Sequence, residues 1–259
     1  MGIIRGMMTN NPLKSDALPL LWPDLLAGAE KLARADDALA ALLLDIVLPA
    51  TSFSDGLARL LPQKLACRHL PEKTLQDLYR AFAEAVGDLE EIITADMQTI
   101  MARDPAAKDS LVPFLFFKGF HALQSQRLAH YLWNTDRQHL ALFLQNRISD
   151  LFAVDIHPAA RIGRGVMMDH ATGIVIGETA VVEDNVLFWH NVTLGSRSFN
   201  PGDRHPKIRK GAVIGAHATL IGNIEVGEGA KIAAGSVVIT DVPPGATVAG
   251  TPAKVVARP

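Results

Sequence analysis

Two stretches in the second half of the chain gather side chains that could move a proton and grip a small zwitterion. One is Asp169-His170-Ala171-Thr172-Gly173; the other runs from Ser196 to His205 and ends in Asp203-Arg204-His205. A histidine titrates near neutrality and is the default general base for a hydroxyl proton, most effective when a carboxylate fixes its tautomer. Asp155, one coil before His170 in sequence, is the candidate orienting partner. An arginine fork binds a carboxylate through two parallel N–H bonds, and further carboxylates suit an ammonium group. A base, a carboxylate grip and an ammonium grip together describe a site for a hydroxy amino acid. Each residue also has a plainer reading: Asp203 and Arg204 as a solvated loop pair, His170 as a satisfied corner histidine. Their shared placement favours function, because both stretches interrupt a repeat that is otherwise regular.

That repeat has a period of six. Aliphatic or aromatic residues pace it at Ile156, Ile162, Met168, Ile176, Val182, Phe188, Leu194, Ile208, Ile214, Leu220, Val226, Ile232 and Val238. The fifth residue of each hexad is small or branched, as at Ala160, Val166, Thr172, Ala180, Val186, Val192, Ala212, Ala218, Ala230 and Ser236. Six residues are too few for a helical repeat, and thirteen hexads in phase are the mark of a parallel β-helix. Three hexads make one triangular coil whose pacing residues point inward; in the hexapeptide class the coil is left-handed. The phase slips by two residues between Met168 and Ile176, and again between Leu194 and Ile208. Insertions at solenoid corners become surface loops, where function concentrates.

Upstream the periodicity is helical. Pro23–Val47 reads as one helix, Leu57–Leu65 as a shorter one, and Pro71 opens a long helix ending near Arg103, with Leu75, Leu78, Phe82, Val86, Leu89 and Ile93 as its apolar stripe. Asp104-Pro105 ends it, because the residue before proline is pushed out of the α region. Further helices are expected over Lys118–Trp133 and Asp136–Phe152. The fold class is therefore α+β: a helical domain over 1–152, which either caps one end of the solenoid or joins subunits, then a left-handed β-helix over 153–259. No linker separates them.

Composition excludes several classes of function. Hydrophobic residues make up 49% and charged residues 20% of 259 positions, enough for a core and a solvated surface. A net charge of −2 without a long basic run gives no nucleic-acid footprint. A single cysteine, Cys67, rules out an internal disulfide framework and a cysteine-rich zinc site, and its helical surroundings suit a packing residue. No stretch approaches the ~20 apolar residues of a membrane span, and Met1–Asn10 carries no secretory pattern, so a cytoplasmic protein is expected.

Several strings resemble the bacterial serine O-acetyltransferases. These are Asp155-Ile156-His157-Pro158-Ala159-Ala160, Asp169–Gly173, Val192-Thr193-Leu194-Gly195 and Gly202-Asp203-Arg204-His205-Pro206-Lys207-Ile208, with Arg103-Asp104-Pro105 and Lys118–Gln124 in the helical half. The resemblance spans roughly residues 70–259. It implies that His170 takes the proton from the serine hydroxyl with Asp155 as its partner, and that Asp104 and Asp169 hold the ammonium. It further implies that Arg204 and His205 hold the carboxylate. Acetyl-CoA would be the co-substrate, with Gly195, Ala216, Lys231 and Ala234 at its groove, backbone N–H groups near Gly195 as oxyanion donors, and no metal. Trimers built through the solenoids, paired into hexamers through the helical domains, are the implied assembly.

The chain departs from that pattern in places. Ser196 stands where a second glycine is usual, Phe188-Trp189-His190-Asn191 replaces smaller residues, Arg197–Pro201 replaces a glycine- and lysine-bearing loop, and His217 and Ala233 replace glycines. The sequence stops at Ala257-Arg258-Pro259 instead of continuing into the isoleucine-terminated tail that binds the sulfhydrylase of cysteine synthesis, so no tight complex with that enzyme is expected. Other acceptors, homoserine or a sugar or antibiotic, fit the same base, and a non-catalytic oligomeric scaffold is the alternative of another class. A hexapeptide zinc hydratase is disfavoured, since none of the nine histidines form an H-x4-H pair.

Overall fold

The computed structural model describes residues 21–258; residues 1–20, and with them the Met1–Asn10 segment, and Pro259 lie outside them. The helical half comprises α1 (Leu21–Ala35), α2 (Asp37–Ile46), α3 (Phe53–Leu65), α4 (Glu72–Ala85), α5 (Leu89–Arg103), α6 (Leu111–Phe116), α7 (Lys118–Asn134) and α8 (Gln138–Phe152). Two expected helices are each divided. Asp36 leaves the helical region (φ −140°, ψ 100°), and its Oδ1 accepts the Ala38 N–H at 2.9 Å, so it starts α2 and ends the single Pro23–Val47 helix. Between α4 and α5, Val86 turns extended (φ −106°, ψ 95°) ahead of Gly87. The apolar stripe hides this break because Leu75, Leu78, Phe82, Leu89 and Ile93 all reach the core from both sides of it. The short α6, with Pro113 in its first turn, is too brief to show a period.

The solenoid has three faces. Face one holds β1 (Val154–Ile156), β4 (Ile174–Ile176), β7 (Thr193–Gly195), β10 (Thr219–Ile221) and β13 (Val237–Val238). Face two holds β2 (Arg161–Ile162), β5 (Val181–Val182), β8 (Lys207–Ile208) and β11 (Glu225–Val226). Face three holds β3 (Met167–Met168), β6 (Leu187–Phe188), β9 (Val213–Ile214), β12 (Lys231–Ile232), β14 (Thr247–Gly250) and β15 (Ala253–Ala257). All pairings are parallel except β14–β15. The pacing residues stack in register: Ile156, Ile176, Leu194, Leu220 and Val238 form one continuous column. Of the thirteen, only Ile162 is not fully buried, and it packs against the core. Stacked columns of this kind make each coil the template for the next.

A first coil has no coil above it, so its backbone groups need other partners. The helical half supplies them. Gln126 and Arg127 of α7 donate to the carbonyls of Ala160 (3.3 Å), Ile162 (3.2 Å) and Gly163 (2.8 Å), and His130 Nδ1 meets the Pro158 carbonyl at 2.7 Å. Asp96 of α5, fully buried, accepts the Val166 N–H at 2.9 Å and pairs with Arg127 at 2.7 Å. Removing one partner of such a buried pair typically costs about 3–5 kcal/mol. At Gly119, the second residue of α7, a Cβ would come within 2.0 Å of the Met168 carbonyl oxygen, so only glycine lets the helix start against the wall. His121, two residues further along α7, is buried; burial pushes its imidazole down to about 4, leaving it neutral, 2.7 Å from the Phe114 carbonyl. At the opposite end β15 folds back antiparallel on β14. Among the described residues no helix is long and apolar enough to cross a membrane.

Candidate active site

The two interruptions lie on opposite edges of face one. The chain passes from face three to face one at Asp169–Gly173, and from face one to face two at Ser196–Pro206. Each edge carries its own cluster.

On the first edge the slip of phase is made by two consecutive left-handed residues, His170 (φ 55°) and Ala171 (φ 58°). Such a conformation costs about 1–2 kcal/mol for a residue with a Cβ. Ala171 and Ile174 turn inward and are buried, which throws the His170 side chain outward, where it is 77% exposed. Asp169 stands beside it, with Oδ1 3.9 Å from His170 Nε2. The helical half closes this corner: Asp104 at the end of α5, Phe116, Phe117 and Lys118 line a cleft of about 300 Å³ together with Asp169 and His170. Lys118 Nζ also donates to Thr172 Oγ1 at 2.5 Å. Burial raises the Asp169 carboxyl above its usual range; the positive field of His170 opposes this and the nearby Asp104 carboxylate reinforces it. Two carboxylates that repel each other in a half-buried cleft suit a cation between them.

The second edge is more ordered. Thr179 Oγ1 accepts the backbone N–H groups of Arg204 (3.0 Å) and His205 (3.1 Å), and also lies 2.9 Å from His205 Nδ1. The Thr179 N–H reaches the same Nδ1 at 3.2 Å, which places the ring proton on Nε2. His205 is buried over Gly177, where a Cβ would lie 2.0 Å from Nε2. Burial lowers the His205 pKa, and Arg204 and Lys207 lower it further against the Glu178 carboxylate. Arg204 donates to Glu178 at 2.5 Å and to the Gly202 carbonyl at 3.1 Å. Its hydrogen bond holds the Glu178 carboxyl below the usual range. Lys207 pairs with Asp203 at 2.5 Å and anchors the loop.

Asp155, the middle residue of β1, is linked to this second cluster through His157, a ring that feels the charges of Glu178, Asp155 and Arg204. Asp155 accepts from Gln145 of α8 at 2.6 Å, and its negative charge acts on His157, whose pKa burial lowers. Within one chain, then, Asp104, Asp169 and His170 line one cleft, Arg204 and His205 lie together with Glu178 and Thr179, Asp155 is linked to that pair only through the charges acting on His157, and no hydrogen bond or ion pair among the described residues joins the two edges. Sequence reasoning missed Glu178 and Thr179, which position Arg204 and His205; both sit in an unbroken hexad, and the signal available was that this hexad's corner lies directly above the long insertion.

The residues expected at the acyl-donor groove divide in the same way. Ala216 and Ala234 form the first edge below His170, where the Gly235 N–H bonds the Ala216 carbonyl at 2.8 Å, and Lys231 lies in β12 on the adjoining face three. Gly195 ends β7 at the second edge. A separate cavity of about 270 Å³, between α4, α5, α7 and the first coil, is walled by Phe82, Val86, Leu89 and Ile92 and has no carboxylate in its lining. Among the described residues, no cluster of three or more His, Cys, Asp or Glu side chains is placed to hold a metal ion.

A hexapeptide solenoid closed by helices, with an exposed imidazole and two carboxylates at one corner and small residues continuing that edge, defines an acyltransferase of the hexapeptide class. Residues 21–125 match the family "Serine acetyltransferase, N-terminal", and residues 205–240 match "Bacterial transferase hexapeptide (six repeats)". A serine acetyltransferase of Salmonella typhimurium is 47% identical over 94% of this chain and 89% of its own length. Two solved structures superpose with a TM-score of 0.90: the Brucella abortus serine acetyltransferase in complex with coenzyme A (44% identity, 92% of this chain and 95% of that one) and the soybean serine acetyltransferase complexed with serine (45%, 93% and 100%). The chain belongs to the serine acetyltransferase family.

Proposed function

We propose that the protein transfers the acetyl group of acetyl-CoA to the hydroxyl of L-serine, in a site assembled from the two edges of face one on neighbouring copies. The observation that carries this reading is the separation of the two clusters. The first edge offers a base and an ammonium grip, and the one lysine in its cleft, Lys118, is bonded to Thr172; the second offers the Arg204 fork and His205 without an exposed base. Neither edge alone can hold a hydroxy amino acid. A closed ring of three copies, in which each presents its first edge to the second edge of the next, supplies both halves three times over.

In this arrangement Asp104 and Asp169 take the ammonium, relieving their mutual repulsion. Arg204 offers the N–H groups not engaged by Glu178 and Gly202 to the carboxylate, beside His205 Nε2–H. Asp155 faces the His170 of the next copy instead of the His170 of its own chain. His170 accepts the hydroxyl proton, the oxygen attacks the thioester carbonyl, the C–S bond breaks, and the CoA thiolate leaves and takes up a proton. The products are O-acetylserine and CoA. The acyl donor lies along the first edge past Ala216 and Ala234, with Lys231 near its phosphates and Gly195 opposite. The helical domain over 1–152 carries Asp104 to the cleft and caps the β-helix domain over 153–259. Thiol release from acetyl-CoA, measured with serine, homoserine, threonine and a panel of sugars, tests the reading. Serine should be preferred, and an acceptor lacking a carboxylate that works as well as serine would exclude the role given to Arg204.

A further inference from the structure

His217 and the stretch around His190 stand outside the roles assigned so far. Both lie on the first edge, in the two coils below His170. The three imidazoles form a column: the ring centroids of His170 and His190 are 6.1 Å apart at an interplanar angle of 79°, and those of His190 and His217 are 5.0 Å apart at 83°. Edge-to-face contacts of this kind have a preferred geometry and orient the rings they join. His190 depends on that packing, because its Nδ1 is buried without a hydrogen-bond partner. No hydrogen bond to Nδ1 fixes the plane of this ring; its neighbours above and below do.

His217 is held at a cost. Its φ is 60°, a conformation that glycine adopts freely and that Gly235, one coil further down the same edge, adopts at 69°. A side chain at that position is therefore strained where glycine would not be. Asn191, also left-handed (φ 54°), approaches the ring, with its Nδ2 3.4 Å from His217 Nε2. The His217 N–H bonds the His190 carbonyl at 3.0 Å, so backbone and ring bind the two layers together.

We propose that His217 is a positioning residue for acetyl transfer: its ring fixes the ring of His190, which in turn walls and orients the imidazole of His170. His217 touches neither reacting group and acts through His190. The inference rests on His170 as the base but not on which acceptor is used.

The test is His217→Gly in the otherwise intact protein. Glycine suits the backbone, so the thermal midpoint should hold or rise while the ring is removed. Turnover should fall about tenfold, a fraction of the ~100-fold that a displacement of ~1 Å can cause. The KM values for serine and acetyl-CoA should stay within about twofold of wild type. In a His190→Ala background the same substitution should have no further effect, since groups that act in series are not additive. Unchanged turnover in His217→Gly would overturn the proposal, as would an equal fall in both backgrounds. A rise in the acetyl-CoA KM with turnover intact would also overturn it, by placing His217 in the donor groove. Loss of activity in His170→Ala with no change in His217→Gly would leave the base in place and remove only the column.

Discussion

The two edges of face one are built on opposite plans. The second is a closed network: Thr179 ties down the backbone of Arg204 and His205, Glu178 engages the arginine, Lys207 pins the loop through Asp203, and His205 fills the space above Gly177. The first is open. His170 projects 77% exposed from a strained pair of left-handed residues, and its nearest charged neighbour, Asp169, is 3.9 Å away. Under the proposed function the contrast separates recognition from chemistry. A carboxylate is best read by a rigid fork whose geometry exists before binding, whereas a base needs a free lone pair and room for the hydroxyl it deprotonates.

Substitutions at the two edges should therefore fail in different ways. The largest effect is expected at the open edge. His170→Ala should reduce turnover by ~10²–10⁴-fold and leave the thermal midpoint unchanged or higher, because the ring makes no hydrogen bond that the fold depends on. A loss under tenfold in a folded protein would remove His170 from the role of base. Arg204→Lys comes next. Lysine keeps the charge and loses the fork, so the serine KM should rise about tenfold with turnover nearly preserved. A fall in turnover at constant KM would show that the second edge takes part in the chemistry. Thr179→Val is a smaller change at the same edge. It removes the oxygen that accepts two backbone N–H groups, and the net loss of a hydrogen bond is about 1 kcal/mol. A severalfold rise in serine KM and a lowered thermal midpoint should follow, checked by steady-state kinetics and calorimetry. If serine KM does not move, Thr179 supports the fold and not the grip.

The helical cap offers a control that touches neither edge. His121 is depressed to about 4 when folded, against an ordinary 6.5, so the unfolded chain binds its proton more readily. The contribution to stability is fully present above about pH 6.5 and is lost as pH falls towards 4, a change on the order of 3 kcal/mol. Replacing His121 with Gln should flatten that part of the pH–stability profile, and an unchanged profile would assign the acid sensitivity to another group.

Much of this could be read from the residues. The period of six encodes the strands directly, since one pacing residue per hexad must turn inward, and Ile156 through Val238 do so in every coil, Ile162 only in part. The helix breaks were not legible in the same way, because Asp36 and Val86 act locally while the apolar pattern continues across them. The candidate site residues at the phase breaks stood out for the reason that the strands did: irregularity is visible against a repeat. What the linear pattern concealed was the edge on which each residue falls. Asp155 precedes His170 by less than one coil, which suggested a pair within one chain, yet on β1 it bonds Gln145 and acts on His157, with no hydrogen bond or ion pair to His170 among the described residues. Glu178 and Thr179, in an unbroken hexad, carried no irregularity to mark them.

The account stands or falls on the site being shared between copies. The most direct measurement mixes two defective chains, His170→Ala and Arg204→Ala, co-assembled in equal amounts and assayed at serine concentrations well below the wild-type KM. No single chain in the mixture carries both an intact base and an intact carboxylate grip. In a ring where each site takes its first edge from one copy and its second from the next, about one site in four pairs the two intact halves. Activity near a quarter of wild type, well above that of either parent alone, is the predicted result. Activity no greater than the average of the two parents would contradict the account, because it would mean that His170 and Arg204 must come from the same chain.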